Sequence, residues 1–579
     1  MTTESKRIVV ASVLIFIVLL VQPYYLSWLG ISDDHNSLDI NDQLIVEQNS
    51  EERQSPPKSS KDNVNSFLPD NSIKLESYSI STPLYILELG NNAGGTIFSA
   101  SFLGVDQNDS RLTGGLDRHG VYQYDSPVLL APLDDKVCAP CLAYYDYNLD
   151  EYIYFNMPFN LITPVGSNAI TLSDNDRFEM AFVYKSDELL ITKTLTFSGN
   201  SYVVNIAYSV EGSVASNYPF EVFWSGGLQP TERLEMEDIT NGYGMVAQGD
   251  ERIDINISSA DENIERTVYN GVSNWVAVRN KYFISSLIPK TPSSFSTLSA
   301  NSVEFGNRSI TPLYNMSIGY NNNINNILTD LYFGPLDIDY IKQVETNLDS
   351  SMNFGFSIIR PIGKFVLFVL KFLHNTLKLN YGIALIVFAF LVWFITRPLT
   401  KKSFESSKKM QQVTPLIKKV QEKYKDNPQK MNQEVMRLYK ENGANPLGGC
   451  LPMLLQMPLL WSLFVVFRST IEFRGAEFVF WINDLSQPDV LFYLPFHIPL
   501  YGSHVALLPI LMGISIFMTQ RISMATMDPN QKPVMYIMNG FFILIFNSFP
   551  SGLNLYYTVY NLLNYYQQKS INTPKNNIK

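Results

Sequence analysis

One stretch limits what this chain can fold into more than any other: residues 381–402, YGIALIVFAFLVWFITRPLTKK. Residues 382–396 are fifteen uncharged positions in a row, after which Arg397, Pro398, Lys401 and Lys402 make a basic exit. As a helix rising about 1.5 Å per residue, the run is about 22 Å long, short of the roughly 30 Å hydrocarbon core of a bilayer. Two readings of Arg397 follow. It sits inside the membrane's cytoplasmic half, where a cation is costly and marks a functional site. Alternatively it snorkels to the headgroups beside the two lysines, as an interfacial anchor.

The 579 residues exceed what one soluble domain usually needs. The chain has two unlike parts, polar and acidic to about residue 350 and strongly apolar beyond, so the net charge of −11 averages over both. Three cysteines, Cys138, Cys141 and Cys450, are too few for a disulfide scaffold. No Walker loop, HExxH or dinucleotide glycine fingerprint occurs, and the five histidines lack ligand spacing. Nothing points to a nucleotide- or metal-driven enzyme, and no cofactor or metal is expected.

Lys6 and Arg7 precede an apolar run over residues 8–21, with Pro23, Tyr24, Tyr25 and Trp28 at its far end. A signal peptide shares the basic-then-apolar layout, but no small-residue cleavage site follows and the aromatics mark an interface. Residues 1–30 therefore read as a retained signal anchor with a cytoplasmic N-terminus. Residues 31–72 (EQNSEERQSPPKSSKDNVNS within them) hold too few apolar groups for a core and read as a flexible tether. From residue 73 to 335, short alternating runs such as LYILEL, TKTLTF, YVVNIAYSV and FEVFW recur between Gly, Asn and Asp turns. That is the pattern of one large all-β sandwich or barrel, placed outside the cytoplasm by the anchor. Cys138-Ala139-Pro140-Cys141 lies inside it, as a redox pair, half a zinc site or a local pair. Lacking a second pair or a following helix, it reads as a small structural disulfide or two idle thiols.

Residues 354–378 are apolar with Arg360, Lys364, Lys371 and Lys378 interspersed, an amphipathic helix lying on the outer membrane face. Residues 380–400 form the second span. Residues 401–445 carry eleven basic and five acidic side chains and are cytoplasmic by the positive-inside rule. Asn427 and Pro428 suit an N-cap and a first helical residue, so a hairpin of two basic helices is expected there. Lys408, Lys409, Lys418, Lys419, Lys423 and Lys425 make it either a solvated charged hairpin or a docking site for something anionic, RNA or lipid headgroups. Residues 446–570 hold four more apolar segments, with an aromatic outer loop at 473–503, and residues 571–579 a cytoplasmic tail. Arg521, Lys532, Lys569 and Lys575 all fall on the inner side. The expected fold is thus a multi-pass α-helical membrane protein of six spans, five of them a C-terminal bundle, plus the exported β domain, with both termini cytoplasmic.

Arg397 apart, the spans carry uncharged polar residues: Thr396, Gln456, Ser462, Thr519, Asn539, Asn547, Ser548, Thr558, Asn561 and Asn564. Ordinary interhelical hydrogen bonds, about 0.6 kcal/mol each, explain many of them. Clustered around an arginine they would instead line a wet concavity in the bilayer, and Pro398, Pro446, Pro452, Pro458 and Pro550 favour an irregular interior.

The strings ENGANPLGGCLPMLLQMPLLWSLF (441–464), RPLTKKSFESSKKMQ and FPSGLNLYYTVYNLLNYYQQ resemble the YidC/Oxa/Alb family of membrane insertases. The anchor and large exported domain match its Gram-negative form, and GNNAGG, NWVAV and YFGP extend the likeness into the β region. The resemblance implies a non-enzymatic insertase and chaperone of the bacterial inner membrane, with a periplasmic, mutarotase-like supersandwich. A polar groove open to cytoplasm and lipid would hold the polar part of an incoming chain. Its residues here would be Arg397, Thr396, Trp393, Gln456, Ser462, Asn539, Asn547, Thr558 and Asn561. Implied partners are nascent membrane proteins, the Sec translocon, the ribosome, the signal-recognition-particle receptor and the lipid bilayer, and no specific DNA. One departure matters. The family's groove arginine falls at Trp393 here, and the nearest charge, Arg397, lies one turn later on the same helix face, about 6 Å closer to the cytoplasm. A membrane-anchored carbohydrate-binding or mutarotase-like protein is the competing reading.

Overall fold

The computed structural model describes residues 73–104, 110–133, 138–146, 151–187, 189–212, 219–259, 262–321, 324–356, 359–425, 427–443, 451–498, 501–524 and 532–572. The expected anchor and tether lie outside them, as do Cys450, Lys575 and the NPLGGC string. The chain divides into two units, residues 36–352 and a helical unit from residue 353 onward.

The first unit is built on a nine-stranded sheet. Its order is Glu251–Ile255, Tyr243–Gln248, Trp275–Arg279, Phe283–Pro289, Asn326–Pro335, Val203–Gly212, Leu189–Ser198, Arg177–Lys185 and Asn160–Leu161. All its pairings are antiparallel, and residues opposite one another share a face. Leu189–Ser198 alternates buried and half-buried along its whole length, as TKTLTF predicts. A six-stranded sheet packs against it, with Trp224 reaching Phe333 at 5.2 Å between ring centroids. A five-stranded sheet contributes Phe102, stacked on Phe283 at 5.4 Å. The expected sandwich is thus several sheets sharing one aromatic core.

Two polar devices sit inside that core. Lys193 occupies an inward position, fully buried, and donates to the carbonyls of Ala93 (3.0 Å), Gly95 (3.4 Å) and Pro140 (2.8 Å). Burial pulls its pKa down to about 7. Pro140 lies between Cys138 and Cys141, which are joined as a disulfide, so the open question of the CAPC pair resolves to a local staple. The second device ties helix α1, Glu235–Asn241, to the sheet: Arg308 donates to Asp238 at 2.7 Å, both side chains buried. Asp238's pKa is raised to about 7, by burial first and the nearby Glu232 second, with Arg308 opposing. Helix α2, Ile338–Ile341, is capped by Asp337 and lies near the end of this unit.

The helical unit begins with α3, Arg360–Asn375, the predicted amphipathic helix. Gly363, Val366, Leu367, Leu370 and Leu373 face inward, while Phe365, Phe368 and Phe372 are 61%, 66% and 50% exposed, so its second face is apolar too. Lys371 pairs with the fully buried Glu472 at 3.0 Å and so pins α3 to the turn Ile471–Phe473. Helix α4, Tyr381–Lys423, runs 43 residues without a break, merging the apolar stretch expected to be the second span with the first arm of the expected basic hairpin. Pro398 and Pro415 leave the Phe394 and Gln411 carbonyls without their usual helical donor, yet the helix continues through both. Asn427 caps α5, Pro428–Glu441, accepting from the Lys430 amide at 3.0 Å, with Pro428 opening it as expected. Val413 and Ile417 of α4 pack against Val435, Leu438 and Tyr439 of α5.

Helices α6 (Leu451–Ser469), α7 (Leu507–Met524), α8 (Lys532–Phe546) and α9 (Ser551–Asn572) complete the unit. Among the described residues one helical stretch, Tyr381–Met410, is long and apolar enough to cross a membrane by length and composition; Leu507–Arg521 and Met535–Phe546 are shorter apolar ones. The later part of the aromatic loop expected at 473–503 enters an antiparallel hairpin of Val490–Ile498 with Gly502–Ala506. Asp489 fixes its base by accepting from the first amides of α7, Leu507 at 3.0 Å and Leu508 at 2.8 Å, and from the Trp481 indole at 3.0 Å.

Arg308→Met leaves the Asp238 carboxylate buried without its cation, and we expect the sheet unit to lose about 3–5 kcal/mol, measured by pulse proteolysis in urea. A carboxyl whose folded pKa lies above its unfolded value keeps its proton in the fold across that window, so stability falls as pH rises from about 4 to about 7. The loss in Arg308→Met is therefore smaller at pH 5 than at pH 8.

Candidate functional site

Helix α9 is the centre of the bundle, packed along α4 on one side and α7 on the other. Tyr556 meets Phe388 of α4 at 5.8 Å, Tyr560 lies 3.2 Å from the Thr396 hydroxyl, and Gln567 donates to the Arg397 carbonyl (3.1 Å) and the Thr400 hydroxyl (3.0 Å). On the α7 side, Thr519 donates to the Asn561 carbonyl at 3.3 Å. At 100° per residue, Asn554, Tyr557, Asn561, Asn564 and Gln568 recur at spacings of 3, 4, 3 and 4 and form one polar stripe turned between those two neighbours. The opposite face, with Tyr566 66% exposed, looks outward.

The stripe is polar but only partly satisfied. Asn554 Oδ1, Asn561 Nδ2, Asn564 Oδ1 and Gln567 Oε1 are buried atoms without a hydrogen-bond partner in the protein. On the adjoining helices the same holds for Trp393 Nε1 of α4 and Asn539 Oδ1 of α8. Native interiors leave few such groups, because each costs about 1–3 kcal/mol unless water or a ligand meets it. These six atoms lie on α9, α4 and α8, in an otherwise apolar bundle.

The expected groove residues divide. Thr396 reaches Tyr560 and so lines the α4–α9 seam, while also donating to its own helix at Val392 (2.8 Å). The Trp393 ring lies 5.3 Å beneath the Arg397 guanidinium, the i, i+4 neighbours stacking as the shared face predicts. Arg397 itself is exposed, level with Gln567. Gln456 of α6 lies beside the Tyr557 hydroxyl, and Asn539 donates to Gln520 of α7 at 2.7 Å. Three others lie elsewhere. Ser462 is buried against Gly363 of α3. Thr558 sits off the stripe and donates to the Asn554 carbonyl of its own helix at 2.7 Å. Asn547 is fully engaged at the outer hairpin, donating to the Tyr501 and His504 carbonyls (both 2.8 Å) and accepting from the Ala506 amide (3.0 Å). Reading the polar residues one at a time missed Asn554, Gln567 and Gln568; the 3–4 spacing on α9 is the signal for Asn554 and Gln568, whereas Gln567 shows itself only through its bonds to α4.

Of the six hairpin lysines, Lys409, Lys418, Lys419, Lys423 and Lys425 are exposed. Lys408 is half-buried and donates to the Ile571 carbonyl at 3.3 Å, a cation at the C-terminal end of α9 where the helix dipole favours one.

Comparison with known proteins places this geometry. The family model described as 60Kd inner membrane protein matches residues 372–578, and that of the YidC periplasmic domain matches residues 163–367. A protein of Prosthecochloris aestuarii named membrane protein insertase YidC is 36% identical over 419 residues, 71% of each chain. One of the same name from Chloroherpeton thalassium is 36% identical over 411 residues, 69% of this chain and 70% of that one. A solved YidC insertase with its first transmembrane domain resolved is 18% identical, covers 87% of this chain and 95% of its own, and superposes with a TM-score of 0.33. The two family models match the later part of the sheet unit and then the helices, and identity at this level over this length leaves one conclusion: the chain belongs to the YidC family of membrane protein insertases.

Proposed function

We propose that this protein inserts membrane proteins into the bacterial inner membrane by sheltering the polar part of an incoming chain along α9 while its apolar segment moves into lipid. The observation that carries the reading is the row of buried, unpartnered polar atoms on Asn554, Asn561, Asn564 and Gln567. In hydrocarbon such groups need water or a polar guest, and a polar segment crossing the bilayer needs the same of its surroundings. The apolar face of α4, with Phe394 and Ile395 67% and 72% exposed, supplies the surface along which the hydrophobic segment leaves. Burial of that segment drives the process, and no nucleotide is required. Short helices help: α8 has 15 residues, about 22 Å, and such a mismatch thins the bilayer locally and shortens the polar path.

In this reading α4, α6, α7, α8 and α9 span the membrane, and residues 1–30 add a sixth span. Both termini and the α4–α5 hairpin are then cytoplasmic, and the sheet unit periplasmic. Arg397 lies at the cytoplasmic mouth of the groove and draws in acidic tails. The exposed lysines of the hairpin receive anionic surfaces of the ribosome or the signal-recognition-particle receptor, and the Sec translocon is a partner for larger substrates. The carbohydrate-binding alternative is not supported, since sheet and helices both match one insertase family.

Reconstituted insertion assays test this directly. Arg397→Ala is expected to slow an acidic-tailed substrate about tenfold and leave a neutral-tailed one unchanged, with Arg397→Lys retaining most activity. That is about 1.4 kcal/mol, the scale of a partly screened charge pair. Equal rates in all three would reduce Arg397 to an anchor. Deleting residues 75–330 should leave insertion of a short, twice-spanning substrate measurable; complete loss with the helices still folded would shift the work to the sheet unit.

A further inference from the structure

The β-hairpin that precedes α7 exposes aromatic side chains on both of its faces. Phe492 pairs with Val505 and Tyr493 with His504, so these adjacent residues point to opposite sides, and they are 54% and 59% exposed. Phe496, at 60%, extends the surface along the same strand. Among the described residues Val490–Ile498 has a strand neighbour on one side only. An apolar edge strand open on both faces is an aggregation site in water, and proteins commonly blunt such an edge with charge. This one carries none: residues 490–506 contain no Asp, Glu, Lys or Arg, and residues 475–520 no Lys or Arg.

A second observation lies beside the hairpin. Phe480 is 88% exposed and has a φ of 61°, a left-handed conformation that bulky side chains rarely adopt. Its turn is closed by the Phe478 amide, which donates to the Ile482 carbonyl at 2.8 Å, and tethered through the Trp481 indole to Asp489 at 3.0 Å. Asn380, the cap of α4, donates to the Glu477 carbonyl at 2.8 Å. Strain of this kind persists only where its surroundings impose it, and it is a reason to look for function. Here it presents a phenyl ring outward.

The hairpin is placed as firmly. Its second strand ends at Ala506 and α7 begins at Leu507, while Asn547, just past α8, donates to the Tyr501 and His504 carbonyls. The aromatic surface therefore adjoins the ends of α7 and α8, two apolar helices with exposed side chains of their own, Ile514 and Ile537 among them.

Shape and chemistry together say what covers this surface. A folded partner seated on one face of the strand leaves the other in water, whereas a fluid covers both. An uncharged surface gives a charged protein surface nothing to pair with, while Phe and Tyr at the end of an apolar helix suit the bilayer interface. The open strand edge sets the depth: its N–H and C=O groups go unpaired in hydrocarbon but meet water among the headgroups. We infer that Phe480, Phe492, Tyr493 and Phe496 form a wedge immersed in the headgroup region of the outer leaflet, with the bilayer lipids as its ligand. The inference goes beyond the insertase reading and rests on it only for α7 and α8 crossing the membrane.

The test uses the full-length protein in vesicles of phosphatidylethanolamine and phosphatidylglycerol, doped with lipid carrying a nitroxide either high or low on its acyl chain. Phe480→Cys and Phe496→Cys, each combined with Cys450→Ser, take an environment-sensitive fluorophore; Cys138 and Cys141 are bonded to each other. Tyr124→Cys on the sheet unit, at a position 67% exposed, serves as the water-side reference. At both wedge positions the high nitroxide is expected to quench about twofold more than the low one, and iodide in the buffer about fivefold less than at the reference, as interfacial depth requires. Iodide quenching equal to the reference would put the surface in water and overturn the proposal. Protection from iodide and from both nitroxides would mean that a protein or a second copy covers it, and would overturn the proposal equally. Two labelled positions keep the test decisive if one variant does not fold. Insertion of a substrate by the unaltered protein in the same vesicles is a separate readout, so the insertase reading and the wedge stand or fall independently.

Discussion

A polar atom buried among apolar groups must find a partner, and the manner in which each buried polar atom of this protein does so organises both of its units. In the sheet unit several buried charged groups meet the requirement internally. Lys193 has three carbonyls, Arg308 has Asp238, and Glu221, on an interior strand of the six-stranded sheet, accepts from Arg266, Tyr152 and Ser317. Such closed networks rigidify and leave nothing over for a ligand. The helical unit meets the same requirement in two different ways, and the difference separates scaffold from site.

Around the Val490–Ala506 hairpin, polar side chains tie neighbouring elements together. Asn547 uses both hydrogens of its amide nitrogen and its oxygen on the hairpin, and Asp489 binds the start of α7 and the Trp481 indole, so the ends of three elements are held together. Lys371 and Glu472 do likewise for α3. Along α9 the networks stop halfway: side chains of the same type are held by one atom and leave the other open. A bundle that could have filled this seam with leucine keeps amides there instead, at a cost in stability that a purely structural role would not require.

The sheet unit's strands were legible from period-2 runs, because a residue's face in a strand depends on its neighbours in sequence alone. Lys193 was the exception: the alternation of LLITKTLTFS puts it inward, but only the Ala93, Gly95 and Pro140 carbonyls, far away in sequence, show how it is tolerated. The basic hairpin was legible through Asn427-Pro428, since a cap and a proline at N1 act over four residues. The uninterrupted α4 was not, because proline disfavours a helix only locally and the packing of its two halves decides whether it continues. Among the polar residues of the spans, Asn547, Ser462 and Thr558 look no different in sequence from Asn561, yet they do unrelated jobs.

What the sequence alone determined here is everything carried by local pattern: the apolar runs and their charged ends, the β periodicity, the capped hairpin and the motif strings that resemble the insertase family. What the tertiary structure decided is which polar atoms are spent and which remain open. That property belongs to pairs of atoms on different elements, Gln567 with Thr400, Asn547 with the outer hairpin, Lys408 with the end of α9. Hydrogen bonds of this kind are short-ranged in space and unrestricted in sequence. The polar seam along α9 therefore exists only once α4, α7 and α9 have been brought together.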